Sequence, residues 1–461
     1  MEKLYYEDII CAKATANGAA AIAVIRVSGK DCLSMLGKIF RKVGSKPIES
    51  HRVCYGDIID GDAIVDSVIV LPFRDGSGFT GEEAFEIQCH GSPIVCQMIL
   101  QLLIKNGTRL AEPGEFSKRA FLNGKIDLSQ AEAIMDIVNA STKQSAAMAA
   151  RQLNGLIQTQ LGTAKETLTD LLAKIEVFID YPEEDISVDV ESWLGDIDII
   201  KEELQKLLAG FNRGRYYREG VRAVLLGKTN SGKSTIFNTL LNEDKAIVSD
   251  IHGTTRDYLD GIINIAGFGI RLYDTAGLRI TDDPIEREGT RRSVELAKNC
   301  DLVLFVIDGT LPLSENAENI AQLEDKKTLF IINKADSPEF SHSISDELRT
   351  IVPITRYEIC EISALKQSGI EQFNELFQQL LLDENIHGEQ ADAVITNIRH
   401  AELLQTTLTH ISDAQSPIRD GVLDIGAFEL RSALDDLGEI TGAVTREDVL
   451  NRIFEKFCVG K

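Results

Sequence analysis

The sequence predicts a multidomain α/β protein: an N-terminal α/β domain, a helical domain made from two separate segments, and an inserted Ras-like P-loop nucleotide domain. Three observations carry that prediction. Strand and helix patterns alternate through residues 1–120. Long runs with apolar residues at helical spacing flank the centre of the chain. Between them, a buried strand pattern runs into a glycine-bounded loop that opens a helix. The boundaries read from these patterns are 1–120, 121–217, 218–383 and 384–461.

In the first segment, residues 20–27 and 63–73 read as strands. Residues 84–90 alternate, with Phe85, Ile87 and Cys89 on one face and Glu86, Gln88 and His90 on the other. That polar row reads first as a solvated sheet face, with a pocket wall as the alternative. Pro93 then begins an apolar helical pattern that Asn106-Gly107 stops. The next segment opens on Ser129-Gln130-Ala131-Glu132, which reads as a capping box before a long helical stripe ending at Tyr181-Pro182. A second helical run covers residues 193–211. Arg213, Arg215, Tyr216, Tyr217, Arg218 and Arg222 follow as a short basic, aromatic stretch. It reads as a hinge between domains rather than an RNA contact. Helical character returns at residues 397–456, so the nucleotide domain interrupts a helical domain and its loop movements would pass into those helices.

The nucleotide domain carries its chemistry in four places. Gly227-Lys228-Thr229-Asn230-Ser231-Gly232-Lys233-Ser234 is a P-loop: two glycines let the backbone wrap a phosphate, and the amide dipoles favour its charge. Lys233 would reach the β/γ-phosphates and the Ser234 hydroxyl would hold magnesium. Asp274-Thr275-Ala276-Gly277 follows, with Asp274 placed to bind magnesium through water and the Gly277 amide to sense the γ-phosphate. Asn333-Lys334-Ala335-Asp336 comes next, where Asp336 can accept both guanine N1–H and the exocyclic amine. Ser363-Ala364-Leu365 fits the loop that supports the base. Four such motifs in this order, each at a predicted strand end, specify a GTPase domain.

Two details separate it from a Ras-like switch. Leu278 stands where Ras-type enzymes carry a water-orienting glutamine, so another group must orient the attacking water. Glu286 is the best candidate, with Glu288 and Asp282 as rivals and a plain helix-start carboxylate as the alternative. Gly253-Thr254-Thr255-Arg256-Asp257 reads as a switch-like loop with Thr255 placed to ligate magnesium. Together with Asn230, the segment ending there would wrap a monovalent cation and neutralise transition-state charge.

Composition sets outer bounds. At 461 residues the chain has length for roughly two to four domains. An apolar content of 44% excludes a wholly disordered chain. A net charge of −24 argues against a general nucleic-acid-coating protein, DNA included, but leaves room for an RNA bound at a local patch or through a partner. The eight cysteines are scattered with no CxxC pair, so neither a zinc ribbon nor a disulfide framework is expected, and reduced thiols in a cytosolic protein are. The early apolar run at residues 18–25 is short and follows Glu2, Glu7 and Asp8, so no signal peptide or membrane anchor is expected. A soluble, cytoplasmic protein is.

Beyond these motifs the chain resembles the MnmE (TrmE) family of bacterial tRNA-modification GTPases, essentially end to end. The resemblance rests on Phe79-Thr80-Gly81-Glu82, Cys89-His90-Gly91, Glu112-Pro113-Gly114-Glu115-Phe116-Ser117 and Arg119-Ala120-Phe121-Leu122-Asn123-Gly124-Lys125. It extends to Gly253-Thr254-Thr255-Arg256-Asp257, Asp274-Thr275-Ala276-Gly277-Leu278-Arg279 and the terminal Cys458-Val459-Gly460-Lys461. Thr229 departs from the proline that the family often carries there, and Pro284 falls between Leu278 and Glu286; neither change removes a ligand.

The resemblance implies a homodimer built through the amino-terminal domains, with 5-formyl- or 5,10-methylene-tetrahydrofolate at Arg26, Glu86, Lys125 and Lys461. That moves Glu86 from solvated face to ligand contact. It implies a complex with MnmG, an FAD-containing partner, in a heterotetramer that modifies carbon 5 of the wobble uridine in certain tRNAs. It also implies potassium-dependent GTP hydrolysis with the two G domains juxtaposed. Asn230 and Thr254 would bind K+ through side chains, and Ser249 and Ile251 through carbonyls, with Glu286 helping to orient water. Ser234 and Thr255 would hold Mg2+. The GTP-binding set is then Asn230, Ser231, Gly232, Lys233, Ser234 and Thr235, with Ser249, Thr254, Thr255, Asp274, Thr275, Ala276 and Gly277. Asn333, Lys334, Asp336, Ser363 and Ala364 complete it. Lys233 and Glu286 are the catalytic pair, and Cys458 is a candidate for the modification chemistry, a structural thiol being the alternative. Two rivals share part of the pattern: a ribosome-assembly GTPase acting as a binding switch, and a folate-dependent one-carbon enzyme regulated by GTP.

Overall fold

The computed structural model describes residues 8–74, 76–181, 189–243, 262–274, 300–321, 323, 326–352, 355–382 and 395–461. It is mixed α/β with two sheets and long helical segments, the class the sequence predicts. Two compact units separate: Met1–Met135 with Leu153–Gln158 and Leu434–Lys461, and Asp136–Gln152 with Thr159–Ala433.

The first unit holds strands β1 (Ile9–Lys13), β2 (Ile22–Ser28), β3 (Phe40–Lys42), β4 (Cys54–Asp60), β5 (Ala63–Phe73), β6 (Ala84–His90) and β7 (Thr108–Leu110). Their order in the sheet is β3-β4-β5-β6-β2-β1-β7, antiparallel except between β1 and β7. The alternation read in β6 is realised. Phe85, Ile87 and Cys89 are buried, whereas Glu86 and Gln88 are half-buried and His90 is exposed. The buried side of the sheet shares a core with helices α1 (Cys32–Ile39) and α2 (Pro93–Lys105), through Met35, Leu36, Ile99 and Leu103.

In this unit, pattern reading missed β1, β3, β4 and β7. Strand β1 is five residues without alternation, set by its pairing with β2 and β7. Strand β4 contains Gly56, a poor strand former. A Cβ there would lie 2.4 Å from the Arg41 carbonyl and 2.7 Å from the Phe40 ring, so close strand contact requires the glycine.

Helices α3 (Glu115–Leu122), α4 (Leu128–Asn139), α5 (Lys143–Leu153) and α6 (Leu156–Asp180) follow. The capping box lies two residues earlier than Ser129-Glu132. The Asp127 carboxylate accepts the Gln130 N–H at 2.8 Å, and the Gln130 side chain accepts the Asp127 N–H at 2.9 Å. Ser129 and Glu132 are instead buried within α4.

In the second unit, α7 (Val190–Ala209) leads into α8 (Phe211–Glu219), the stretch read as a hinge. Its charges are matched locally. Arg215 and Arg222 bond Asp301 at 2.9 and 3.3 Å, and Arg218 bonds Asp136 at 2.8 Å. The Tyr217 ring stacks on Phe268 with centroids 4.7 Å apart. These contacts make residues 211–219 a packed helix in which Arg215 and Arg218 each have a carboxylate partner, while Arg213 lies over the Tyr217 ring.

The sheet of this unit comprises β8 (Val221–Leu226), β9 (Ile262–Ile265), β10 (Phe268–Asp274), β11 (Leu302–Asp308), β12 (Thr328–Asn333) and β13 (Tyr357–Glu361). It is ordered β13-β12-β11-β8-β10-β9 and is parallel except for the β9–β10 hairpin. Helix α9 (Lys233–Glu243) leaves β8 through the P-loop. Short α10 (Ala317–Ala321), α11 (Ser343–Ile351) and α12 (Ile370–Leu381) follow. Phe373 and Phe377 of α12 pack into a core with Leu225, Leu304 and Leu329. The chain ends in α13 (Ile398–Arg419), α14 (Leu423–Thr441) and α15 (Glu447–Phe454). Helix α13 packs along α7, where Gln415 donates to Asp198 at 2.7 Å.

Candidate functional sites

Parallel strands place the nucleotide motifs together. Strand β8 delivers the P-loop and its neighbour β11 separates it from β12, so both loops emerge at the carboxyl end of the sheet. Gly227 has φ 138°, and a Cβ there would lie 2.2 Å from the Val306 carbonyl. Gly232 has φ 97°, and its Cβ would lie 2.1 Å from Asn333 Nδ2. Only glycine lets the loop pass both points. Lys233 is 9% exposed and folds back, donating to the carbonyls of Gly227 at 2.8 Å and Lys228 at 2.5 Å. An ammonium held by loop carbonyls can exchange those acceptors for the oxygens of an anion. Ser234 and Thr235 are exposed in the first turn of α9, and Asn230 is exposed with φ 65°.

Asn333 ties three loops together. Its Nδ2 donates to the Ser231 carbonyl at 3.0 Å, and its Oδ1 accepts the Ala364 N–H at 3.1 Å. Two residues after Lys334, Asp336 accepts the Ser363 hydroxyl at 2.6 Å. That bond is the main reason the Asp336 carboxyl sits below the ordinary carboxylate range, leaving it an anion. A fixed carboxylate with a free oxygen suits the paired donors of guanine. The structure thus brings together Ser231, Gly232, Lys233, Asn333, Asp336, Ser363 and Ala364.

Asp274 ends β10. Ser249, Ile251, Thr254, Thr255, Thr275, Ala276, Gly277 and Glu286 lie outside the described residues, as do Leu278 and the rivals Glu288 and Asp282. The side chain of Asp274 lies outside them too.

A second constellation forms in the amino-terminal unit. Arg26 and Glu86 are register partners across β2 and β6, on the side of the sheet opposite the core, and their side chains pair at 2.9 Å. The Arg26 guanidinium lies 5.4 Å from the Phe79 ring centroid and 5.7 Å from that of Phe116. It also reaches the Gly460 carbonyl at 3.5 Å, which brings the chain end to the sheet. The end is held by a bridge between Pro113 and Val459 and by the Gly114 N–H on the Cys458 carbonyl at 3.4 Å. Lys125 donates to the Gly76 carbonyl at 2.9 Å and packs on Gly81, two residues from Phe79. Arg26 thus joins Glu86, the Phe79 ring and the Cys458–Lys461 segment; Lys125 is exposed, and Arg26 and Lys461 are half-buried. These residues suit a flat heteroaromatic ligand carrying carboxylates. Cys458 is exposed, whereas the other seven cysteines are buried.

Sequence reading missed what holds these sites. Arg119 is fully buried and bonds Glu115 at 2.9 Å, Asp8 at 2.8 Å and Glu82 at 3.3 Å, while Arg109 pairs with Glu115 and Asp8. Burial alone would raise the Glu115 pKa; Arg109, the Glu112 N–H and Arg119 outweigh it and the net shift is downward. Glu82 also accepts the Ser28 hydroxyl at 2.8 Å. The recurrent Glu82, Glu115 and Arg119 motifs were visible in the sequence, but their mutual contact was not. Asp308, at the end of β11, contacts the Lys334 ammonium and carried no sequence signal beyond its strand-end position.

Comparison with known proteins identifies the family. Residues 9–125 match the family model described as GTP-binding protein TrmE N-terminus, and residues 128–458 match that of the MnmE helical domain. The tRNA modification GTPase MnmE of Geobacter sulfurreducens is 40% identical over 469 residues, covering 99% of this chain and 100% of its own. Its namesake in Clostridioides difficile is 37% identical over 464 residues with the same coverage. Among solved structures, the G domain of T. maritima FeoB covers 35% of this chain and 98% of its own, at 21% identity and a TM-score of 0.26. With both family models matched across residues 9–458 and relatives aligned over nearly the full length, the chain belongs to the MnmE family of tRNA-modification GTPases.

Proposed function

We propose that this GTPase hydrolyses GTP with Mg2+ and K+ and, with the FAD-containing partner MnmG, installs an aminomethyl or carboxymethylaminomethyl group on carbon 5 of the wobble uridine of certain tRNAs. A tetrahydrofolate, 5-formyl or 5,10-methylene, supplies the one-carbon unit. The observation that carries the nucleotide half is Asn333, which joins the P-loop at Ser231 to the base loop at Ala364 beside the Asp336–Ser363 pair. The family relatives, named as tRNA modification GTPases, support the tRNA substrate, and the family resemblance carries the partner, the folate and the cations.

Lys233 exchanges its loop carbonyls for β/γ-phosphate oxygens, and Asp336 accepts the guanine N1–H and amine. Ser234 and Thr255 hold Mg2+, while Asn230, Thr254, Ser249 and Ile251 hold K+. The two cations offset charge developing between the β- and γ-phosphates. Glu286 orients the attacking water. In the amino-terminal unit, Glu86 accepts from the donor edge of the pterin while Arg26, Lys125 and Lys461 meet its carboxylates, and Cys458 is poised at the same segment. The domain limits we assign are 1–120, 121–217, 218–383 and 384–461, in a cytoplasmic homodimer that assembles with MnmG. Nucleoside analysis of tRNA from cells lacking the gene tests this reading: unmodified wobble uridine, restored by the intact gene, is expected. Normal modification in its absence would overturn it.

A further inference from the structure

A buried carboxylate outside the four nucleotide motifs stands beside the base loop. Asp308 is 8% exposed, at the carboxyl end of β11, where it is the register partner of Asn333. One carboxylate oxygen, Oδ1, accepts the Thr310 N–H at 3.0 Å and the Thr310 hydroxyl at 2.7 Å. The other, Oδ2, meets the Lys334 ammonium. Burial would raise its pKa, but Lys334 and Thr310 more than offset that and keep it an anion.

The turn that follows is fastened on both sides. The Gly309 N–H donates to the Asn333 carbonyl at 2.9 Å, and the Gly309 carbonyl accepts the Ser341 N–H at 2.9 Å. A Cβ at Gly309 would lie 2.3 Å from the Phe340 ring, so the approach leaves no room for a side chain. Lys334 itself has φ 69°, a left-handed conformation that a lysine adopts only where its surroundings impose it.

We propose that Asp308 is a positioning residue for the guanine nucleotide: it anchors the Lys334 ammonium so that the lysine stem stands as a fixed wall of the base slot beside Asp336. The inference rests on the nucleotide reading above. A free lysine loses rotamer freedom when a ligand packs on it, which weakens binding. Lys334, tied at its backbone by the β12 loop and at its tip by Asp308, has lost that freedom before the ligand arrives. Asp308 acts through Lys334, so its effect must vanish when the lysine tip is removed.

The test is GDP affinity of the full chain, read by a fluorescent GDP analogue, for wild type, Asp308→Asn, Lys334→Met and the double variant. Asp308→Asn is expected to weaken GDP about fivefold or more, through faster dissociation, and the double variant to match Lys334→Met within about twofold. A smaller loss in the single variant, or an additive loss in the double, overturns the inference. A wild-type chain that fails to bind GDP overturns the nucleotide reading and this inference with it, a separate result. Should circular dichroism find Asp308→Asn unfolded, Thr310→Val serves in its place. It removes one hydrogen bond to the carboxylate and should weaken GDP about twofold or more in the Lys334 background and not in Lys334→Met. Any other pattern overturns the inference.

Discussion

Asn333 donates to the Ser231 carbonyl at 3.0 Å, across 102 positions of sequence, and thereby fastens the loop for the base to the loop for the phosphates. The same side chain accepts the Ala364 N–H, so both of its polar ends are used inside the protein. On the proposed reading, its part in nucleotide binding is to set the distance between two loops.

Asn333→Ala leaves a buried carbonyl and a buried N–H without this partner, at a cost of about 1–3 kcal/mol each when unsatisfied. GDP and GTP affinity should fall together by roughly tenfold or more, measured by calorimetry. Equal affinity in the variant would mean the two loops keep their spacing without it.

Asp336→Asn replaces an acceptor with an amide. Guanine then loses its paired acceptor, whereas xanthine, with a carbonyl in place of the amine, gains a donor. GDP should bind roughly ten- to a hundredfold more weakly and XDP more tightly than in wild type. Competition titration of the two diphosphates reads the ratio; an unchanged ratio removes Asp336 from base recognition.

Arg119 holds the carboxylates of the amino-terminal unit. Arg119 is fully buried and Glu115 nearly so, whereas the Asp8 side chain is 42% exposed; Arg119→Met strips a buried carboxylate of one partner and should lower the melting temperature at neutral pH. The pH dependence has a definite sign. Glu115 and Asp8 have folded pKa values below their ordinary ones, because the arginines outweigh the effect of burial. Their contribution is complete above the ordinary carboxylate range and is lost as pH falls through the lower folded values. The melting gap between wild type and Arg119→Met should therefore be widest near pH 7 and shrink towards about pH 3. A constant gap would assign the cost to packing alone.

Gly460 has φ 92°, and a Cβ there would lie 2.6 Å from the Lys13 carbonyl. Gly460→Ala should release the Cys458–Lys461 segment from Arg26 and weaken folate binding. Deleting Lys461 alone should weaken folate binding with the segment still docked. If folate affinity, measured by calorimetry, is unaltered in both, the chain end is not part of that site.

GTP turnover should be much faster in KCl than in NaCl at equal ionic strength, and Glu286→Ala should slow hydrolysis while leaving GDP affinity intact. Equal rates in the two salts would remove the cation role from Asn230. Unchanged turnover in the variant would move water orientation to Glu288 or a backbone group.

By itself the sequence determined the elements whose signals are local. The P-loop, Asn333, Asp336 and Ser363 each sit in short consecutive motifs at strand ends, and the alternation of residues 84–90 placed Glu86 on the outward face of its strand. Tertiary structure decided everything that depends on partners far apart in the chain. Arg119 finds Asp8 across 111 positions and Arg26 meets Gly460 across 434, distances over which periodicity carries no information. The stretch at residues 213–218 illustrates the same limit: Arg215 and Arg218 look free in sequence, and only the fold supplies Asp301 and Asp136 as their partners. Local chemistry names the groups that can act. Burial and long-range pairing select which of them are held in position, because only a packed chain can desolvate a charge and provide its counter-charge together.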